Sequence, residues 1–127
     1  MGQEIRHYTW YEFDEDCKKI VKKIKNNTSW NIKYVYGPPR GGLCPAVKIS
    51  HLLGAKYISE ITMIDGKNNI LIVDDVSDTG KTLKKLLKNK FNYYTATLFI
   101  KPQTVFIPDI YIQKVNNDVW IHYPWEK

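Results

Sequence analysis

The sequence predicts an α/β fold in which one parallel β-sheet is flanked by helices, within a single domain spanning residues 1–127. Short apolar runs of strand length alternate with longer segments whose apolar residues recur at helical spacing. Turns rich in glycine and proline separate these segments. With 127 residues, 43% of them hydrophobic, the chain can bury one sizeable core. Because strand–helix–strand units cross over in a right-handed sense, this alternation favours a parallel sheet covered on both faces.

The first predicted helix follows a capping box. Thr9 stands at the N-cap position, and Glu12 can reach back to its backbone N–H. Helical spacing of apolar residues then continues to about Lys25. The residues on this apolar face are Phe13, Cys17, Ile20, Val21 and Ile24.

Two strands and a second helix follow. Ile32–Tyr36 is a short apolar strand that ends at the glycine- and proline-rich segment 37–42. Leu43–Leu53 is predicted to be a helix, which Gly54 terminates. Lys56–Ile64 alternates like a strand and leads into a turn.

The second half of the chain begins with the buried strand Ile70–Asp74, followed by a helix over Lys81–Asn89 and a strand over Tyr94–Ile100. The tail from Lys101 onward is rich in prolines, β-branched residues and aromatics, and it has no helical period. We expect it to form a small irregular C-terminal hood over the pocket. The predicted domain is therefore a core of about 1–101 with a hood of about 102–127.

Composition limits the partners without identifying them. Nineteen Lys and Arg against 13 Asp and Glu give a net charge of +6, but many lysines lie on predicted helix faces, as solvated residues do. An anionic small substrate would also benefit from this charge. Nucleic acid is not favoured, because basic and aromatic residues do not interleave on one surface.

The sequence also predicts where the protein works. Its longest apolar runs are of strand length, so we expect no membrane span. The first six residues lack an apolar signal core, which predicts a cytoplasmic protein. Cys17 and Cys44 lie on different elements without metal-ligand spacing and are interpreted as structural thiols.

The most informative segment runs from Ile70 to Leu83. Two carboxylates, Asp74 and Asp75, stand at the tip of a strand, and the turn Asp-Thr-Gly-Lys-Thr then opens a helix. Such a turn directs backbone N–H groups, hydroxyls and an ammonium at one point, where a phosphate can bind. The paired acids can hold vicinal hydroxyls or a metal ion. An ordinary capped turn is the alternative, but it accounts for only one acid and one hydroxyl.

These residues resemble the phosphoribosyl-pyrophosphate (PRPP) signature of the type I phosphoribosyltransferases. The resemblance implies that Asp74 and Asp75 hold the ribose and a Mg²⁺ ion, with Asp75 as the preferred metal contact. It also implies a catalytic role for Asp78, whose carboxylate would accept the N7 proton of a purine as general base. The 5-phosphate would be bound by the Asp78 amide together with Thr79, Gly80, Lys81 and Thr82.

The loop 37–42 carries Arg40, one of two arginines in the chain, whose guanidinium can clasp two phosphate oxygens. A surface turn is the more common meaning of such a loop. It nevertheless looks like the pyrophosphate loop of purine phosphoribosyltransferases, in which the peptide before the arginine is often cis. The resemblance implies a cis bond between Pro39 and Arg40, and pyrophosphate bound by Arg40, Gly41 and Gly42.

The base end of the pocket is indicated by Lys101, Trp120 and Ile121. Taken alone, Lys101 would be interpreted as an ordinary surface lysine, and Trp120 as a residue that packs in the core or in a lid. Together with Pro102 and the ending Trp-Ile-His-Tyr-Pro-Trp-Glu, they are similar to the xanthine-guanine phosphoribosyltransferases. The similarity implies that Lys101 donates to the purine 6-oxygen, and that Trp120 and Ile121 supply a stacking face and backbone contacts.

The implied activity is transfer of ribose 5-phosphate from PRPP to a 6-oxopurine with release of pyrophosphate, by a homodimer or homotetramer in purine salvage. Guanine, xanthine and hypoxanthine share the 6-oxo group, so the sequence does not separate them. The segment Thr62–Asn69 is much shorter than the mobile loop of most type I enzymes. A neighbouring subunit, the tail or the Pro38-Pro39 loop could cover the site instead. A non-catalytic PRPP- or nucleotide-binding module, or a transferase for another acceptor, remains an alternative.

Overall fold

The computed structural model describes residues 3–90 and 92–126; positions 1, 2, 91 and 127 lie outside the described residues. The regular elements, in chain order, are β1 (Glu4–His7), α1 (Trp10–Asn26), β2 (Tyr34–Tyr36), α2 (Leu43–Leu53), β3 (Lys56–Ile58), β4 (Ile70–Ser77), α3 (Lys81–Leu86), β5 (Tyr93–Ile100), β6 (Ile110–Lys114) and β7 (Val119–His122). Five strands form a wholly parallel sheet in the order β3-β2-β4-β5-β6. The predicted α/β fold class is confirmed.

Strand β4 lies in the middle of this sheet and is apolar on both faces. Leu71 and Val73 are fully buried in the cluster that α1 and α2 cover. Ile70 and Ile72 point the other way, into the cluster that contains Leu83 of α3. A strand that is covered on both faces has apolar residues at successive positions, which explains why β4 could be recognised in the sequence.

The first two helices begin and end close to the predicted residues. Thr9 Oγ1 accepts a hydrogen bond from Glu12 N at 3.1 Å, and Thr9 N donates to Glu12 Oε2 at 3.0 Å, which confirms the capping box. Helix α2 has its predicted bounds, and Gly54 follows it in the left-handed region with φ +68°. No helix in the described ranges is both long enough and apolar enough to cross a bilayer.

The predicted strand Lys56–Ile64 is wrong beyond Ile58. The chain instead forms a 3₁₀ helix over Ile61–Ile64, in which residues three apart lie on the same side. Ile61 and Ile64 therefore both pack on the core beside α3.

Strand β4 continues to Ser77, three residues past its predicted end, because Val76 and Ser77 still pair with β5. Helix α3 ends at Leu86 and not at the predicted Asn89, which takes a positive φ of 64°.

The prediction of an irregular tail is wrong for residues 110–114, because β6 joins the main sheet alongside β5. After it, β7 pairs in parallel with β1 to form a separate two-stranded sheet. The sequence did not reveal β1, since its residues are mostly exposed and carry no apolar alternation. Arg6 fixes this small sheet to the rest of the fold through hydrogen bonds to Glu12 of α1 at 2.9 Å and Gln113 of β6 at 3.2 Å.

Replacing Thr9 with Ala should lower the free energy of unfolding by about 1 kcal/mol, because an orphan N–H of α1 loses its acceptor. Urea unfolding should show a lower midpoint with an unchanged slope. The control is Thr28→Ala, in the exposed turn after the same helix. Equal midpoints for the two variants would show that the box does not stabilise α1.

Candidate active site

The carboxyl ends of β2, β4 and β5 lie at one edge of the sheet and carry the predicted site residues. The loop 37–42 follows β2, the turn 78–80 follows β4, and Lys101 follows β5. The loop after β2 meets strand β4 where Gly41 packs against Asp75. A Cβ on Gly41 would clash with the Asp75 carboxylate and displace it, so glycine allows the loop to pack against the acid in this position.

The loop after β2 has the cis peptide bond that the resemblance implied. The peptide bond between Pro39 and Arg40 is cis, and Gly42 N donates to Pro38 O at 2.9 Å. Helix α2 then begins at Leu43. Arg40 is exposed and borders a cavity of about 730 Å³. The other residues around this cavity are Gly41, Asp75, Trp120, Trp125 and Glu126.

The two acids were predicted at the tip of β4 but lie within it, because the strand continues to Ser77. They are close together and shielded from water. Asp74 is only 7% exposed, and Asp75 is half-buried. Burial, reinforced by the neighbouring Asp75 charge, raises the pKa of Asp74 to about 9. Burial also raises the pKa of Asp75. A nearby cation would favour the ionised form of both groups.

These acids suit a Mg²⁺ ion that is bound mainly through substrate. Among the described residues no group of three or more Asp, Glu, His or Cys is arranged to hold a metal by itself. Mg²⁺ commonly takes one or two carboxylates and completes its shell with water and phosphate oxygens. Two adjacent carboxylates with raised pKa values fit that chemistry, with Asp75 bordering both cavities at this edge.

The turn after β4 is open on the side of the acids. Together with Asp74 and Asp75 it lines a second cavity of about 180 Å³, which Thr79, Gly80 and Thr82 border. Its outer side is held by the segment 104–106. Val105 N donates to Thr79 O at 2.8 Å, and a Cβ on Gly80 would lie 2.5 Å from Phe106 N. Gly80 also has φ +83°, so both backbone conformation and space require glycine there.

Lys101 and Asp78 form an ion pair at this edge. Lys101 is 5% exposed, and its Nζ donates to Asp78 Oδ2 at 3.1 Å and to Asn117 O at 3.3 Å. Gln103 Nε2 donates to the other oxygen, Asp78 Oδ1. The predicted base-reading cation and the predicted general base are therefore neighbours. The sequence prediction missed Gln103, because a polar residue two positions after a lysine carries no recognisable pattern.

Trp120 and Ile121 are separated by the alternation of β7. Trp120 is 54% exposed and borders the larger cavity, whereas Ile121 is 6% exposed and packs in the core. Lys101 is held at Asp78, which borders the smaller cavity. Trp120 therefore lies at the larger cavity, and Lys101 lies beside the smaller one. Asp75 borders both cavities.

Known proteins resemble this chain over most of its length. No protein-family model matches it. A xanthine-guanine phosphoribosyltransferase from Cereibacter sphaeroides is 30% identical over an alignment of 146 positions, which covers 94% of this chain and 86% of the relative. A purine phosphoribosyltransferase structure from Pyrococcus horikoshii has a TM-score of 0.79 and 30% identity, covering 97% of this chain and 95% of that one.

Two further structures show the same fold at lower identity. One is a xanthine-guanine-hypoxanthine phosphoribosyltransferase from Helicobacter pylori, with a TM-score of 0.79, 21% identity, and coverage of 98% of this chain and 93% of that chain. The other is a hypothetical protein from Neisseria gonorrhoeae with bound ppGpp. It has a TM-score of 0.76 and 23% identity, and the match covers 100% of this chain and 92% of that chain.

The raised pKa of Asp74 predicts how stability depends on pH. The pKa of Asp74 is about 9 in the folded protein, above its usual value of 3.8. The protonated acid therefore stabilises the folded state fully below about pH 4, and this stabilisation is lost as the pH rises toward 9. Asp74→Asn mimics the protonated acid and should remove this loss. Without divalent cations, the variant should melt above wild type by about 5 °C or more at pH 9, with a smaller difference at pH 5.

Thermal unfolding at pH 5, 7 and 9 measures this difference. Glu4→Gln, at an exposed position on β1, serves as the control and should follow the wild-type curve. A pH-independent gap between Asp74→Asn and wild type would contradict the burial argument.

Proposed function

Because the chain belongs to the type I purine phosphoribosyltransferases, we propose that it transfers ribose 5-phosphate from PRPP to a 6-oxopurine and releases pyrophosphate, in cytoplasmic purine salvage. The choice of a 6-oxopurine as the base rests on the ion pair between Lys101 and Asp78, in which Nζ lies 3.1 Å from Oδ2. A 6-oxopurine presents an acceptor at O6 beside a proton at N7. An ammonium and a carboxylate side by side match that pair of groups.

The same pair disfavours adenine. Its 6-amino group would place a donor against the donating ammonium of the buried Lys101, and two opposed donors with no acceptor between them are costly. Lys101 has little freedom to turn away, since its backbone N donates to Ser77 O at 3.1 Å and its Nζ also donates to Asn117 O. The exposed face of Trp120 provides a surface on which a purine can stack.

In the proposed reaction the bond between C1 of the ribose and the pyrophosphate oxygen breaks, and a bond from C1 to N9 of the purine forms. Asp78 takes the proton from N7, which leaves N9 nucleophilic. Arg40, with the amide of Gly41, binds the leaving pyrophosphate. The N–H of Gly42, which was predicted to join them, donates to Pro38 O at 2.9 Å in the free protein and would have to leave that bond. A Mg²⁺ ion held by Asp75 would offset the negative charge that develops on the pyrophosphate.

The remaining proposed contacts fix the sugar. Asp74 and Asp75 face the ribose hydroxyls, and Asp75 is the protein's contact to the metal. The turn after β4 binds the 5-phosphate through the Asp78 amide and through Thr79, Gly80, Lys81 and Thr82. The openness of the small cavity between this turn and the acids supports the assignment.

A regulatory nucleotide-binding module is the second candidate. It is favoured by the short crossover between β3 and β4, where the 3₁₀ helix Ile61–Ile64 packs on the core. A segment held in this way is not available to close over the pyrophosphate. The ppGpp-bound neighbour from Neisseria gonorrhoeae is consistent with nucleotide binding on this fold.

A pyrophosphate-release assay with PRPP, Mg²⁺ and each common nucleobase in turn separates the two candidates. We expect release with guanine, xanthine or hypoxanthine and little with adenine. PRPP binding by calorimetry without release for any base would instead favour the regulatory module. Failure to bind PRPP would rule out the transferase, and failure to bind both PRPP and nucleotides would rule out both candidates.

Lys101→Gln should lower kcat/KM for the preferred 6-oxopurine by about 10- to 100-fold, because a charge-assisted hydrogen bond is lost. The preference over adenine should shrink by a similar factor. Lys114→Gln, an exposed lysine beside Ile100 on the neighbouring strand, is the matched control. An unaltered ratio between guanine and adenine would show that Lys101 does not read the base.

Asp78→Asn should lower kcat by about 100-fold or more while PRPP still binds, because the amide cannot accept the N7 proton. Single-turnover kinetics together with PRPP calorimetry separate the two effects. Near-normal turnover in this variant would exclude Asp78 as the general base.

A further inference from the structure

Tyr123 carries a buried hydroxyl that has no role so far. The residue is 4% exposed, and in the described part of the chain its Oη makes no hydrogen bond of ordinary geometry. Buried hydroxyls nearly always have a partner, and leaving one without costs stability. An unpartnered group at an active site therefore calls for an explanation.

The ring of Tyr123 is fixed by its neighbours. It stacks on Trp125 with centroids 4.8 Å apart and planes 6° from parallel. The edges of Tyr8 and Phe99 hold it from other sides, with centroid distances of 6.0 and 6.2 Å. Trp125 borders the larger cavity together with Asp75. The Tyr123 ring is thus fixed against Trp125, a residue that borders the larger cavity.

The acids of β4 are the charges that act most strongly on this hydroxyl. Asp75 raises the pKa of Tyr123 after the larger effect of burial, and Asp74 adds to it. In return, the hydroxyl lowers the pKa of Asp75 against the opposing effect of burial. Meanwhile Asp75 Oδ1 accepts from Val76 N at 2.8 Å, and the carboxylate packs on Gly41. The Tyr123 hydroxyl is therefore near enough to Asp75 to act on it, although the two do not meet the geometry of an ordinary hydrogen bond.

We propose that Tyr123 is a positioning residue for Asp75: when PRPP and its metal occupy the site, the carboxylate reorients and accepts a hydrogen bond from the Tyr123 hydroxyl. This inference rests on the proposed function, because it requires Asp75 to face the sugar and the metal. The bond fixes which oxygen of Asp75 is presented to the ligand. In the free protein the unpartnered hydroxyl lowers the stability of the fold. Ligand binding removes this penalty, because the hydroxyl then has an acceptor.

Tyr8 provides a matched comparison within the same aromatic cluster. It is 3% exposed, and its hydroxyl donates to Asp16 Oδ2 at 2.6 Å. The two tyrosines are therefore equally buried and touch each other, but only the Tyr8 hydroxyl is satisfied in the free protein. Removing each hydroxyl by a Phe substitution should have opposite consequences.

The test measures thermal stability of the free protein and PRPP affinity at several Mg²⁺ concentrations. Tyr123→Phe should melt at or above the wild-type temperature, yet bind PRPP about tenfold or more weakly and need more Mg²⁺. Tyr8→Phe should melt at a lower temperature and bind PRPP within about twofold of wild type, since it loses a satisfied bond far from ligand.

Two outcomes overturn the inference. If Tyr123→Phe is destabilised as much as Tyr8→Phe, the hydroxyl has a partner in the free protein. If its PRPP affinity and Mg²⁺ requirement equal those of wild type, the hydroxyl does not act on Asp75. Either result leaves the proposed function intact as long as the wild type binds PRPP, whereas a wild type that binds none overturns the proposed function itself.

Discussion

The burial of two adjacent carboxylates near the end of β4 is the constraint on which this site depends. β4 is the middle strand of a sheet that is covered on both faces, so Asp74 is held away from bulk water. Two like charges in that environment repel each other and lose solvation, which raises the pKa of both acids. The free protein therefore presents a site that gains from a cation and from hydroxyl donors. A sugar with a bound metal supplies both.

The glycines around the acids follow from the same constraint. Because Asp75 packs directly on Gly41, a side chain at this position of the loop after β2 would displace the carboxylate. Gly80 is fixed from the opposite side, where the backbone of 104–106 leaves no room for a Cβ. At Gly41 and Gly80 the backbone, and not a side chain, thus faces the site. This suits a ligand with several phosphate groups, which amides can approach closely.

Local signals in the sequence predicted much of this arrangement. The capping box at Thr9, the stop at Gly54 and the apolar run of β4 are each encoded within a few residues. The contact between Gln103 and Asp78 depends instead on how the segment after β5 folds back, with Gln103 N donating to Asn117 Oδ1 at 2.9 Å. The 3₁₀ helix at Ile61–Ile64 was missed for a related reason: apolar residues near a strand end support either a strand or a short helix, and only tertiary packing decides.

The least predictable part of the site depends on the pairing of the two ends of the chain. β7 lies beside β1 with Ile5 opposite Trp120, so the register of β1 decides that Trp120 faces the cavity and Ile121 faces the core. If the pairing of β7 with β1 shifted by one residue, Trp120 would face the core and Ile121 would face the cavity. Arg6 fixes the position of β1 by joining it to α1 and β6 at once. The surface proposed for stacking the base therefore depends on the pairing of β7 with residues 4–7, more than 110 positions earlier in the chain.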